Sequence, residues 1–195
     1  MPRLHQVVKD PSVRSSVDKH FVKWQDCELC PLCLTRSNVV LWRGRLPCDI
    51  LIVGEGPGVS ENSLGFPFIG EAGKLLDQIV AQALEDVDCS VAFTNIVACV
   101  PMDKTDMGSG TPRMPKASEA DRCSARLTEF IRIANPKMII TAGQVSKKFL
   151  PDVGLPVRHM IHPAAILRMV GQKQSMETKR CTLLLRTIGE QYGKA

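Results

Sequence analysis

The sequence predicts an α/β fold, three layers (α/β/α) around a central four-stranded parallel sheet, and two observations carry that expectation. Residues 49–54 hold a continuous apolar run, Ile50-Leu51-Ile52-Val53, bounded by Pro47 and Gly54, as a strand covered on both faces would be. Beyond it, runs of strand character alternate with stretches whose apolar residues recur at helical spacing. Such alternation requires parallel strands joined by crossover helices.

The elements follow in order. Residues 13–26 are mixed in character and read as a helix leading into a cysteine cluster. The strand at 49–54 comes next, and from Ala72 the residues Leu75, Leu76, Ile79, Val80, Ala83 and Leu84 mark a helix. Residues 91–97 form the second strand. Residues 102–116, rich in Gly, Pro, Asp and Ser, form a loop long enough to be functional. A helix over 119–134 presents Leu127, Phe130, Ile131 and Ala134 on one face and stops at Asn135-Pro136. Residues 138–142 are the third strand, 144–150 a short helix, 157–161 the fourth strand, and the tail from Gly171 a helix with a basic polar face.

Composition narrows the class. At 195 residues the chain predicts one domain spanning 1–195, with a single core. A hydrophobic content of 44% argues against disorder. No apolar stretch is long enough to cross a bilayer, which predicts no membrane partner. The opening residues Met1-Pro2-Arg3-Leu4-His5 contain no hydrophobic signal core, so the expectation is a cytoplasmic protein; a monomer is expected as well. The net charge of +5 permits a polyanionic partner. Eight cysteines in a reducing compartment point to metal or redox chemistry. The densest group, Cys27-Glu28-Leu29-Cys30-Pro31-Leu32-Cys33, contains two overlapping Cys-x-x-Cys pairs, the spacing that lets two thiolates reach one metal. With Cys99 and Cys123, residues 27–33 form a candidate metal-binding lobe. Cys48, Cys89 and Cys181 read as small apolar residues.

The segment after the first strand, GEGPGVSENSLGFPFIGEAG over 54–73, invites a nucleotide-binding reading that its spacing excludes. A dinucleotide fingerprint needs glycine where Val59 stands. A P-loop needs glycine at Phe68, and Ser or Thr where Leu75 follows Gly73-Lys74. In a parallel sheet, ligands bind beyond the carboxyl ends of the strands. Three suspect segments lie there: this loop, Asn95 at the end of the second strand, and His162-Pro163 after the fourth.

Three motifs carry a resemblance. The first is Gly54-Glu55-Gly56-Pro57-Gly58 followed by Gly65-Phe66-Pro67-Phe68-Ile69-Gly70 and Ala72-Gly73-x-Leu75-Leu76. The second is Thr94-Asn95-Ile96-Val97 leading to Cys99, and the third runs from His162-Pro163 to Arg168. The chain resembles the family-4 uracil-DNA glycosylases, the iron–sulfur branch of the uracil-DNA glycosylase superfamily. That resemblance implies a monofunctional enzyme acting on DNA that contains uracil, flipping the base into a pocket and leaving an abasic site. It implies that Glu55 is the catalytic carboxylate, stabilising charge on the sugar and orienting water. His162 would donate to the uracil oxygen as charge gathers on the leaving base. Gly54, Gly56 and Gly58 would let backbone approach the nucleotide, Phe68 would stack on the base, and Asn95 would read its edge. Glu61 stands where the family has an acidic residue near the base, with thymine's methyl group to exclude. Ile166, Leu167 and Arg168 would form a wedge entering the minor groove. Cys27, Cys30, Cys99 and Cys123 carry over as ligands of a 4Fe–4S cluster ([4Fe-4S]), with zinc on the same thiolates as the alternative and Cys33 as a rival for Cys27 or Cys30. Other readings are a non-catalytic DNA-binding relative recruited to replication or repair proteins, and a relative acting on modified pyrimidines. The sequence departs from the family pattern in lacking basic residues around Cys99 and in carrying Ala165 where an aromatic is common.

Overall fold

The computed structural model describes residues 6–103 and 110–193. The expected loop over 102–116 therefore lies partly outside the described residues; its two ends meet in an antiparallel bridge between Met102 and Pro112. In chain order the elements are β1 (Val7–Val8), α1 (Pro11–Trp24), a 3-10 turn (Pro31–Leu34), β2 (Arg43–Leu46), β3 (Ile50–Gly54), α2 (Val59–Leu64) and α3 (Glu71–Ala83). There follow β4 (Val91–Asn95), α4 (Ala117–Ala134), β5 (Met138–Ala142), α5 (Gln144–Phe149), β6 (Val157–Met160), α6 (Pro163–Leu167) and α7 (Gly171–Tyr192).

The sheet has six strands, in the order β1-β2-β4-β3-β5-β6, where four were expected. The four expected strands form a parallel block, β4-β3-β5-β6. The two additional strands extend one edge: β2 pairs antiparallel with β4, and β1 runs parallel to β2. The sheet is therefore mixed rather than wholly parallel. β2 escapes a reading by hydrophobic pattern because Arg43-Gly44-Arg45-Leu46 has neither an apolar run nor strict alternation, and β1 is two residues long.

Two cores lie on opposite faces. Leu51 and Val53 of β3 join Ala92, Ile139, Leu127 and Phe130 on the side of α1, α4 and α5. Ile50 and Ile52 join Phe93, Ile140, Leu76, Ile79, Ile166 and Leu185 on the side of α3, α6 and α7. Alternate residues of one strand thus feed opposite layers, which is why β3 reads as unbroken apolar sequence. Each such large aliphatic side chain contributes about 1.5–3 kcal/mol when fully buried.

Order within the block is the detail that matters for function. β3 precedes β4 in sequence and sits beside both β4 and β5, so chain direction across the sheet reverses at β3. Loops leaving β3 and its neighbours part at that point and open a crevice over their carboxyl ends.

Candidate active site

A cavity of about 590 Å³ occupies that crevice. Glu55 comes from the end of β3, Phe68 from the loop before α3, Asn95 from the last position of β4, and His162 from the turn after β6; all four line it. Gly56, Gly58 and Glu61 share the wall, as do Arg113 and Arg168. Gly54, the last residue of β3, is not among the lining residues but lies against two of them. A Cβ there would lie 2.4 Å from both Asn95 Oδ1 and Phe68 Cζ, so only glycine lets those two side chains converge.

Phe68 is held in a left-handed conformation, with φ of 55°. A non-glycine residue persists there only when its surroundings over-determine it, and three contacts do so. Glu61 Oε1 accepts the N–H groups of Ile69 (3.0 Å) and Gly70 (2.8 Å), while Oε2 accepts that of Gly58 (3.1 Å). Arg43 reaches across from β2, donating Nε to Pro67 O (2.7 Å) and Nη2 to Phe68 O (3.0 Å) and to Asp77 of α3 (2.6 Å). Gly73 lets the first turn of α3 lie against the Phe68 carbonyl. The ring then packs between Phe93, at 5.9 Å, and His162, stacked at 6.3 Å and 25°.

Asn95 is buried, and among the described residues its Nδ2 has no hydrogen-bond partner. An unpaired buried amide costs about 1–3 kcal/mol. The main chain beneath it is anchored from α4: Arg126, itself 1% exposed, donates to Asn95 O (2.6 Å), Ile96 O (2.9 Å) and Thr94 Oγ1 (3.0 Å).

Glu55 is half-buried, and burial pushes its carboxyl above the ordinary glutamate range. His162 caps α6, its Nδ1 accepting the N–H of Ala164 at 3.1 Å. That bond leaves the proton on Nε2. Burial, with the nearby Arg168 charge, lowers the imidazole's pKa against a smaller opposing influence from Glu61, so the ring is a neutral donor. One wall comes from the loop before α4. There Arg113 forms a bidentate pair with Glu119 (2.8 and 2.9 Å) and bonds Asp103 (2.9 Å). Arg113 holds the Glu119 carboxyl below its usual range.

The expected wedge divides. Leu167 is 41% exposed and Arg168 is exposed beside the cavity, but Ile166 is fully buried in the core with Phe68 and Leu76. Ile166 cannot enter a DNA groove, because as the apolar face of the short α6 it packs inward.

On the opposite side of β4, Cys27, Cys30, Cys99 and Cys123 line a second, smaller cavity with Arg126 and Leu32; Cys33 is not among its walls. Burial raises the Cys99 thiol to about 12, partly offset by Arg36, whose Nη1 donates to Cys99 Sγ at 3.8 Å. Burial and then the neighbouring Cys123 raise Cys30. Forming thiolates here requires a compensating cation, which suits metal ligation. Among the described residues no three Cys, His, Asp or Glu side chains converge as they do around a single ion. Four thiols around one cavity are a donor set that suits zinc or an iron–sulfur cluster.

Arg43, Asp77, Arg113 and Arg126 escaped the sequence reading. An arginine is ordinarily placed in solvent. Only for Arg126 is there a signal, since a charge stands three residues from Cys123 and directly before Leu127 on the apolar side of α4.

A family model described as the uracil DNA glycosylase superfamily matches residues 42–186. A type-4 uracil-DNA glycosylase of Sulfurisphaera tokodaii is 37% identical over 64% of this chain and 53% of its own length. Those of Thermotoga maritima and Pyrobaculum aerophilum are 36% and 35% identical, over 65% and 66% of this chain and 61% of each relative. The matched stretch thus spans less than two thirds of each of these relatives. With the family model covering most of the chain, from β2 well into α7, this protein belongs to the uracil DNA glycosylase superfamily.

Proposed function

We propose that the chain excises uracil from DNA by hydrolysing its N-glycosidic bond. The observation that carries the reading is the buried, unpartnered Nδ2 of Asn95 at the cavity wall. Uracil presents a carbonyl and an N3–H side by side, and a fixed Asn amide offers a donor and an acceptor to match. Cytosine presents an amino donor where uracil has its carbonyl, which would set donor against donor. A flipped base would lie against Phe68, with stacking worth about 1–3 kcal/mol.

The C1′–N1 bond breaks with its electron pair leaving on uracil. The Nε2–H of neutral His162 donates to the base oxygen where that charge collects. Positive charge left on the sugar faces the Glu55 carboxylate, which orients the attacking water and takes up its proton as oxygen bonds to C1′. Exposed Leu167 would fill the gap that the flipped base leaves in the stack, and Arg168 at the cavity wall would contact phosphate.

Cys27, Cys30, Cys99 and Cys123 would hold a 4Fe–4S cluster, which supplies structural cross-linking between the N-terminal segment, the end of β4 and α4. Iron loading with a broad visible absorbance is the expected signature of purified protein; colourless protein with one zinc per chain would assign the site to the alternative metal.

An oligonucleotide with a single uracil, incubated with protein and treated with alkali, tests the activity. Cleavage at uracil, dependent on alkali, is expected. An iron-loaded protein that binds the strand yet leaves every uracil in place would be a non-catalytic relative.

A further inference from the structure

Arg126 is an anomaly of the fold. It is 1% exposed on α4, yet among the described residues it forms no ion pair; Glu129, three residues on, bonds His20 and Lys23 instead. Both terminal nitrogens are occupied by Thr94, Asn95 and Ile96, and Thr94 passes the contact on by donating to Leu41 O at 2.7 Å. The Nε–H is buried with no acceptor among the described residues, and the side chain lines the thiol cavity together with Cys27, Cys30, Cys99 and Cys123. A buried guanidinium with an idle donor, in the wall of a cavity built for anionic sulfur, lacks its counter-charge.

From this we infer that Arg126 is a positioning residue that couples the cluster to the base-reading end of β4. It rests on the cluster reading above. Four thiolates and bridging sulfides give such a cluster net negative charge, and hydrogen bonds to its sulfurs tune it. The cluster supplies the charge and the acceptor that Arg126 lacks. Arg126, fixed from that side, holds the carbonyls of Asn95 and Ile96, so the Asn95 amide meets the base in one orientation. The metal site then acts on recognition through one side chain, besides clamping the N-terminal segment.

Two measurements on the iron-loaded protein test this. Resonance Raman bands of the Fe–S stretches are expected to shift in Arg126→Met and to lie between the two in Arg126→Lys, which keeps the charge and loses the fork. Backbone hydrogen exchange over residues 94–97 is expected to speed up when iron is stripped from the wild type, and to change much less on stripping Arg126→Met, whose β4 end is already released. If Arg126→Met does not fold, Arg126→Lys carries both comparisons. Identical Raman bands in wild type and variants, or equal exchange effects of stripping with and without Arg126, overturn the coupling while leaving the cluster intact. Wild-type protein that takes up no iron overturns the cluster reading and the coupling together. Neither result depends on whether uracil is released.

Discussion

Gly73 and Phe68 meet main chain to main chain: a Cβ on Gly73 would lie 1.8 Å from the Phe68 carbonyl oxygen. The contact sits inside α3, where alanine would ordinarily stabilise a helix by about 1 kcal/mol over glycine. Here the sign should reverse. Gly73→Ala must push the Phe68 loop away from the cavity, and overpacking of this kind costs about 1–3 kcal/mol. A lower melting temperature together with at least a tenfold loss of kcat/KM on uracil DNA is the expected outcome. A stabilised, fully active variant would show that the loop does not depend on this contact.

Glu61 is bound on both oxygens by main-chain N–H groups from two loops. Removing such an acceptor leaves three part-buried donors to find water or go unpaired, at about 1–3 kcal/mol in all. Glu61→Ala should therefore lower the melting temperature by several degrees and weaken catalysis, with Glu61→Gln milder. Thymine release assayed in parallel separates holding the loop from screening the base. The geometry favours the first, so no thymine should be freed by Glu61→Ala.

The pH dependence follows from two shifted groups. The proposed hydrolysis needs Glu55 charged and His162 neutral. Glu55 is raised from 4.5 and His162 lowered from 6.5, both by burial first. Both requirements fail on the acid side, so kcat should fall with decreasing pH below neutrality, and neither group supplies an alkaline limb. Linkage gives opposite signs for stability. The fold binds Glu55's proton more tightly than the unfolded chain does, so Glu55 costs stability as pH rises through its folded pKa. His162 favours the fold above 6.5, and that contribution is lost as pH falls towards its folded pKa. Glu55→Gln should thus lower kcat about 10²–10⁴-fold. It should also melt higher than wild type at pH 8, a difference that vanishes near pH 4. Equal melting temperatures at pH 8 would contradict the buried charge.

The strand ends were legible because the residues there are punctuation: Gly54 and Gly56 after an apolar run, Asn95 closing another, His162-Pro163 closing a third. Helix α4 was found within two residues of its start because its stripe of Leu127, Phe130, Ile131 and Ala134 is periodic. What stayed hidden is the supporting layer. Arg43 and Arg126 are buried against backbone carbonyls, and a side chain that bonds main chain leaves no pattern at any fixed spacing. β2 was missed because its buried Arg43 and Gly44 break the apolar pattern and leave Leu46 as its one aliphatic. Ile166 was placed at the DNA because motif position cannot say which side of a one-turn helix faces the core.

The central claim is that Asn95 reads uracil inside the cavity it shares with Glu55, Phe68 and His162. Single-turnover cleavage of oligonucleotides carrying one uracil or one cytosine, by iron-loaded wild type and Asn95→Ala, tests it most directly. The wild type should release uracil and not cytosine, and the variant should lose about 10- to 100-fold on uracil, as the loss of one or two buried hydrogen bonds implies. An Asn95→Ala protein that excises uracil at the wild-type rate would contradict the account.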